Sequence, residues 1–362
     1  MTEAAGVKRR ARSTKGKGRR KSVLAPKKAI NLALQGGGSH GAFTWGVLDC
    51  LLEDPRIEIE ALSGTSAGAV NAVVVADGLR RGGEPGAREA LAAFWRAVAE
   101  AGRASPIQRT PLDVLLGNWS LDNSPSYLFF DVLNRVASPY DLNPLNLNPL
   151  RDLLEASIDF ERVRACDSLR LFISATNVEN GRIKVFERTE IGVEQVLASA
   201  CLPFLFQAVE IDGVPYWDGG YMGNPALFPL FKACDSRDLV IVQINPIERK
   251  GTPRTAREIL NRVNEISFNS TLLREFRAIH FVTRMLDEGK LDPAHYRRIL
   301  VHRIECEEAL RPLGASSKLN AELAFLEHLF EVGRAATRAW LDRHHDDLGQ
   351  RSTLDLAALY EG

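Results

Sequence analysis

Two glycine-rich turns constrain this chain more than any other feature of its sequence. Each follows a short apolar run and precedes a stretch with helical spacing. Ala29-Ile30-Asn31-Leu32-Ala33-Leu34 leads into Gly36-Gly37-Gly38-Ser39-His40-Gly41, and Gly41 to Glu53 then carries Phe43, Val47, Leu48, Leu51 and Leu52 at helical intervals. Ile57 to Leu62 leads into Gly64-Thr65-Ser66-Ala67-Gly68, and Ala67 to Leu79 is rich in Ala and Val. A strand closed by glycines and followed by a helix, occurring twice, predicts a parallel sheet with crossover helices.

The second turn is a G-x-S-x-G sequence in the strand-to-helix context that such a motif requires. A nucleophile on so sharp a turn needs small neighbours two residues to either side, and Gly64 and Gly68 supply them. The helix that follows directs its positive dipole end at Ser66. The alternative is a structural turn joining a strand to a closely packed helix. In the first turn, Gly36, Gly37 and Gly38 let backbone N–H groups converge on an anionic oxygen. G-x-G-x-x-G also fits a nucleotide-binding turn, but that reading expects an acid at the end of the next strand. Glu58 and Glu60 lie inside it instead. An oxyanion hole facing Ser66 accounts for both turns together. A third motif, Trp217-Asp218-Gly219-Gly220, follows the expected strand Val214 to Trp217 and offers an accessible acid. None of the seven histidines sits in a recognisable catalytic motif. A Ser-His-Asp triad using His280 or His302 stays open at this level, as does a role for Asp218 in an ordinary D-G turn.

Taken in order, GGGSHG, GTSAG and DGG resemble the signatures of the patatin-like phospholipase family. Ser66 follows Gly38 by 28 residues, as is usual there, and Ala198-Ser199-Ala200-Cys201-Leu202-Pro203-Phe204 resembles the family's ASxxxPxxF segment. The resemblance spans roughly residues 29–245. It implies an α/β protein with a three-layer α/β/α fold and a mostly parallel central sheet. It also implies a Ser66–Asp218 dyad without histidine, an oxyanion hole from the Gly36, Gly37 and Gly38 loop, and motif glycines at Gly41, Gly64, Gly68, Gly219 and Gly220. The expected substrate is a lipid acyl ester, with no cofactor and no metal. In one position the chain departs from the pattern: the family generally has Arg or Lys where this chain has His40. His40 contacts an oxyanion or headgroup as a cation only when protonated.

Charge divides the chain. Net charge is zero, but residues 1–28 hold eleven Lys/Arg against Glu3, which leaves about −10 on the body. That head has too few apolar groups to offset ordering and is expected to be disordered. It reads either as a solvated tail or as an electrostatic contact, for anionic membrane through residues 8–28 or for nucleic acid. It lacks the apolar segment of a secretory signal, no later run is apolar enough to span a membrane, and five unclustered cysteines suit a reducing compartment. A cytoplasmic protein that touches membranes peripherally is the expectation. Residues 29–245 are read as the catalytic domain and 246–362 as a mainly helical extension packed on it. Residues 102–150, rich in Pro, Asn and Ser, are read as loops and short helices forming a lid or cap. There, Trp119, Tyr127, Phe129 and Phe130 either line an acyl site or pack the core. Long helices are expected over 255–288 and 319–343.

Overall fold

The computed structural model describes residues 1–2 and 26–359. Most of the basic segment 8–28 therefore lies outside the described residues. Of its basic side chains Lys27 pairs with Glu84 at 2.9 Å, and Lys28 begins the first strand and donates to the carbonyls of His345 and Leu348.

The fold is a three-layer α/β/α sandwich around a mostly parallel sheet. At its centre is β1 (Lys28–Leu34), flanked in parallel by β2 (Ile57–Gly64) and β7 (Asp238–Val242). Beyond β2 lies β3 (Arg170–Asn177), also parallel, and beyond β7 lies β8 (Leu300–Ile304). The remaining strands are antiparallel: β4 (Ile183–Glu187) and β6 (Val214–Asp218) both pair with β3, and β5 (Val209–Ile211) pairs with β6. From Ile30 to Leu34 every residue of β1 is buried, as expected of a strand covered on both faces. Its side chains alternate between two cores. Ile30, Leu32 and Leu34 point into the larger one, and Ala33 into the smaller.

The larger core is built by α1 (Gly41–Glu53) and α2 (Ala67–Arg103), with contributions from the C-terminal part of the chain. Every residue of α1 from Gly41 to Leu52 is buried, so this helix is enclosed on all sides. The expected end of α2 near Leu79 corresponds to a backbone break at Gly82 and Gly83, beyond which the chain resumes helical geometry to Arg103. Five short helices follow: α3 (Pro111–Leu115), α4 (Pro125–Val136), α5 (Pro139–Leu142), α6 (Pro149–Ser157) and α7 (Phe160–Arg164). The first four each begin with Pro after a Ser, Thr or Asn whose side chain caps the helix, which explains how so irregular a sequence forms helices at all. Next come α8 (Val193–Ser199) before β5 and α9 (Phe228–Ala233) before β7.

Residues 246–362 hold more than helices. α10 (Ala256–Asp287), opened by a Thr255/Glu258 capping box, covers the smaller core with Leu272, Phe276 and Ile279. The chain then enters the sheet as β8, makes the short α11 (Glu307–Leu310) and a 3-10 turn at Ser316–Leu319, and ends in α12 (Leu323–His344), which packs on α1. Among the described residues no helix is long and apolar enough to cross a membrane.

Candidate active site

One strand measures out the site. β4 occupies one edge of β3 from Phe172 to Thr176. The other edge is shared: β2 pairs there up to Gly64, opposite Ile173, and β6 takes over with Asp218 opposite Ala175. Two residues of a strand span about 7 Å. The turn that begins at Gly64 and the turn that begins at Asp218 therefore meet above the same short length of β3.

Ser66 sits in that space with φ 54° and ψ −121°, a left-handed conformation that a non-glycine residue holds only under constraint. The constraints are visible. Thr65 N–H donates to the Leu34 carbonyl at 3.3 Å, the Thr65 hydroxyl donates to Gly223 O at 2.7 Å and contacts Ser174 Oγ, and Gly68 N–H closes back on Thr65 O at 2.8 Å. Side chains are excluded around the turn. A Cβ on Gly64 would lie 2.5 Å from Gly68 O, and one on Gly68 would overlap the Leu34 carbonyl. Gly41 is equally tight, since its Cβ would stand 2.8 Å from that of Ala67. The Ser66 N–H itself donates to Ser199 Oγ at 2.9 Å. Ser199 belongs to the segment before the aspartate turn, and its part in holding Ser66 is not readable from the sequence.

Asp218 is buried. Its N–H donates to Cys201 O at 2.8 Å, its carbonyl accepts from the Thr176 hydroxyl at 2.8 Å, and its carboxylate accepts the Gly220 N–H at 2.7 Å. Burial pushes its pKa from 3.8 up to about 6. Hydrogen bonds from Gly220 and the Ser66 hydroxyl, and the nearby Lys318 charge, act in the opposite direction. A Cβ on Gly219 would overlap the Ser174 carbonyl, and one on Gly220 would overlap the Phe268 ring. Among the described residues no histidine hydrogen-bonds Ser66 or Asp218. His302 has both ring nitrogens engaged, with Asp238 at 2.9 Å and Thr353 at 3.0 Å, and His280 lies in α10.

The glycine loop divides its duties. Gly36 packs against Ser66, where a Cβ would come within 2.7 Å of the serine's own, but its N–H donates to Asn224 Oδ1 at 2.7 Å. Gly36 thus departs from the expectation of an oxyanion donor, because the loop needs that amide to anchor itself. Gly37 and Gly38 are the more open residues, and their N–H groups donate to no acceptor among the described residues. The position of His40 also corrects the expectation. The 3-10 turn Gly38–His40 swings its ring inward, where Nε2 meets Ser317 Oγ at 2.8 Å and Phe325 lies edge-on. Burial, reinforced by Lys318, lowers its pKa to about 3. His40 is neutral and takes no part as a cation.

A family model for patatin-like phospholipase matches residues 32–231, more than half of the chain. The chain belongs to the patatin-like phospholipase family. As a member it is a hydrolase of the lipid-acting kind. Two solved structures are similar to this patatin-like phospholipase. VipD from Legionella pneumophila is 14% identical, with 85% of this chain and 68% of VipD covered and a TM-score of 0.34. The type III effector ExoU, whose complex with SpcU is from Pseudomonas aeruginosa, is 15% identical, with coverages of 88% and 53% and a TM-score of 0.34. The chain spans about half the length of ExoU. No curated protein matches it in sequence.

The segment read as a cap bears many exposed apolar side chains, among them Leu115, Leu116, Phe129, Val136 and Leu145, with Phe204 on the loop after α8. Tyr140 Oη accepts the Ala208 N–H at 3.2 Å, and the Gln207 side chain donates to Asn143 O at 2.7 Å, which ties the segment to the loop that continues from Ser199. Of the aromatic candidates, Phe129 is exposed, and Trp119 packs on Phe325 under the Arg109 guanidinium. No group of three or more metal-ligating side chains occurs among the described residues.

Proposed function

We propose that the chain hydrolyses carboxylic esters of lipids, phospholipids among them, with Ser66 as nucleophile and Asp218 as general base. The observation that carries this reading is the register of β3, which brings the Ser66 turn and the turn of the buried Asp218 together over the same two residues, with no histidine hydrogen-bonded to either among the described residues. A carboxylate near pKa 4 is a weak base for a serine alcohol, and burial that lifts it to about 6 brings it closer to the working pH.

In this mechanism Ser66 Oγ attacks the ester carbonyl carbon as its proton passes to Asp218. The Gly37 and Gly38 N–H groups and the N-terminus of α2 stabilise the oxyanion. Collapse breaks the carbon–oxygen bond to the alcohol, which leaves with the proton from Asp218, and Ser66 stays acylated. Water then attacks the acyl carbon, giving its proton to Asp218. Collapse releases the fatty acid, and the proton returns to Ser66. The exposed apolar side chains of the segment tied to the loop that continues from Ser199 favour a lipid over a small polar ester, since surfaces of this kind meet apolar partners.

The test is a panel of defined phospholipids and acylglycerols with products identified by mass. Wild type releases fatty acid and is labelled by a fluorophosphonate, Ser66→Ala is not labelled, and both Ser66→Ala and Asp218→Asn lose at least about 10³-fold in turnover. Turnover that survives in Asp218→Asn would remove the dyad from consideration.

A further inference from the structure

The glycine loop has no working cation of its own, since His40 is buried and neutral. A cation nevertheless reaches the site from the other end of the chain. Lys318 lies on the 3-10 turn Ser316–Leu319, and its backbone carbonyl presses on Gly38 so closely that a Cβ there would overlap it. The ammonium stands 5.8 Å from the centre of the Phe268 ring, the same ring that closes on Gly220. Lys318 thus bridges the oxyanion loop and the Asp218 turn.

Its hydrogen-bonding capacity is mostly unspent. Nζ donates to Asn245 Oδ1 at 2.8 Å, and Asn245 is fixed in that orientation because its Nδ2 donates to Gln35 Oε1 at 3.2 Å and Gly36 O at 2.8 Å. An ammonium carries three donors, so two remain. Among the described residues Lys318 forms no ion pair. Glu265 is near enough to interact but is held by Arg249 at 2.6 Å and Arg262 at 3.2 Å. Burial pushes the Lys318 pKa below its ordinary 10.5, while the charges of Glu265 and Asp218 act to hold its proton on, so an ammonium without an ion-pair partner is costly to keep here. Two free N–H donors beside a site for acyl esters suit two oxygens of a phosphate.

We infer that Lys318 binds the phosphate of a phosphoglyceride headgroup and so directs this site to phospholipids over neutral acyl esters. The inference rests on the acyl-hydrolase reading above and names its substrate class. The experiment compares wild type, Lys318→Met and Lys318→Arg at pH 8, above the value of about 6 to which burial lifts Asp218, and the ratio between two substrates cancels any change in Asp218 itself. The substrates are monomeric dihexanoyl phosphatidylcholine and p-nitrophenyl hexanoate, with sn-glycerol 3-phosphate as competitor. The expected result is a fall of about tenfold or more in kcat/KM for the phospholipid relative to the neutral ester in Lys318→Met, carried by KM. Lys318→Arg restores the ratio, and glycerol phosphate inhibits wild type more strongly than Lys318→Met. An unchanged ratio would overturn the inference, whether Lys318→Met loses nothing or loses equally on both esters, as would equal inhibition. A melting curve separates loss of fold from loss of binding. If wild type cleaves neither ester, the acyl-hydrolase reading fails first, and stabilisation by glycerol phosphate still tests Lys318.

Discussion

Asp218 concentrates the compromise at this site into one residue. Burial makes it a better base and at the same time makes its charge expensive. In the proposed mechanism the reaction needs the carboxylate, so kcat/KM should fall as pH drops through about 6, the value to which burial lifts the group. The same shift has a stability consequence. A carboxyl whose folded pKa lies above its unfolded value of 3.8 binds its proton more tightly in the folded state. Its favourable contribution is complete below that value and is lost as pH rises through about 6. The rise from 3.8 to about 6 corresponds to about 3 kcal/mol. Asp218→Asn should therefore be inactive yet melt higher than wild type at pH 8, and the gap in melting temperature should close toward pH 4. A variant that melts lower at pH 8 would mean that the Gly220 and Ser66 hydrogen bonds outweigh the cost of burial. Ser66 shows the same trade in its backbone: the left-handed turn is held by Thr65, Gly68 and Ser199, none of which need touch substrate.

Among the elements, the pairing of α1 with α12 decides how closely the C-terminal region approaches the glycine loop. Gly46 of α1 meets the Phe330 carbonyl and Gly333 of α12 meets the Phe43 carbonyl, so the two backbones touch reciprocally with no side chain between them. Neither carbonyl can move away without breaking its helix. Gly46→Ala or Gly333→Ala should force the helices apart and destabilise the fold by about 1–3 kcal/mol, measurable by urea denaturation. Separation of these helices also lifts the Ser316–Leu319 turn, which leads into α12, so phospholipid turnover should fall in the same variants. Preserved stability in both would mean that the interface can slide. The break at Gly82 and Gly83 in α2 is of another kind: nothing lies within 4 Å of a Cβ built on Gly82, and only a Pro85 ring atom at 4.0 Å on Gly83. That break comes from the backbone conformation of the glycines, and their sequence announces it.

At the scale of the molecule, residues 246–362 belong to the same body as the strands that carry Ser66 and Asp218. They supply β8 beside β7, α12 against α1, and the turn that carries Lys318. A chain ended after residue 245 should not give a soluble catalytic domain. It leaves an uncovered apolar edge at β7 and an unpartnered face on α1, and its product should appear in the insoluble fraction with no esterase activity. Soluble, active protein would show that the first 245 residues fold alone. The sequence by itself determined the first parallel strands, the first helices, and Ser66 and Asp218 as candidates. The physical reason is local: a strained turn excludes side chains on its flanks, so Gly64, Gly68, Gly219 and Gly220 print its position into the chain. Neighbourhood in sequence misled at His40 and Gly36, where a short turn and an anchoring hydrogen bond to Asn224 gave the groups other work. Ser199, Asn245 and Lys318 were decided only by the tertiary structure. A serine, an asparagine or a lysine makes no demand on its neighbours, so its role appears only when the register of β3 and the packing of α12 bring distant segments to the two glycine turns.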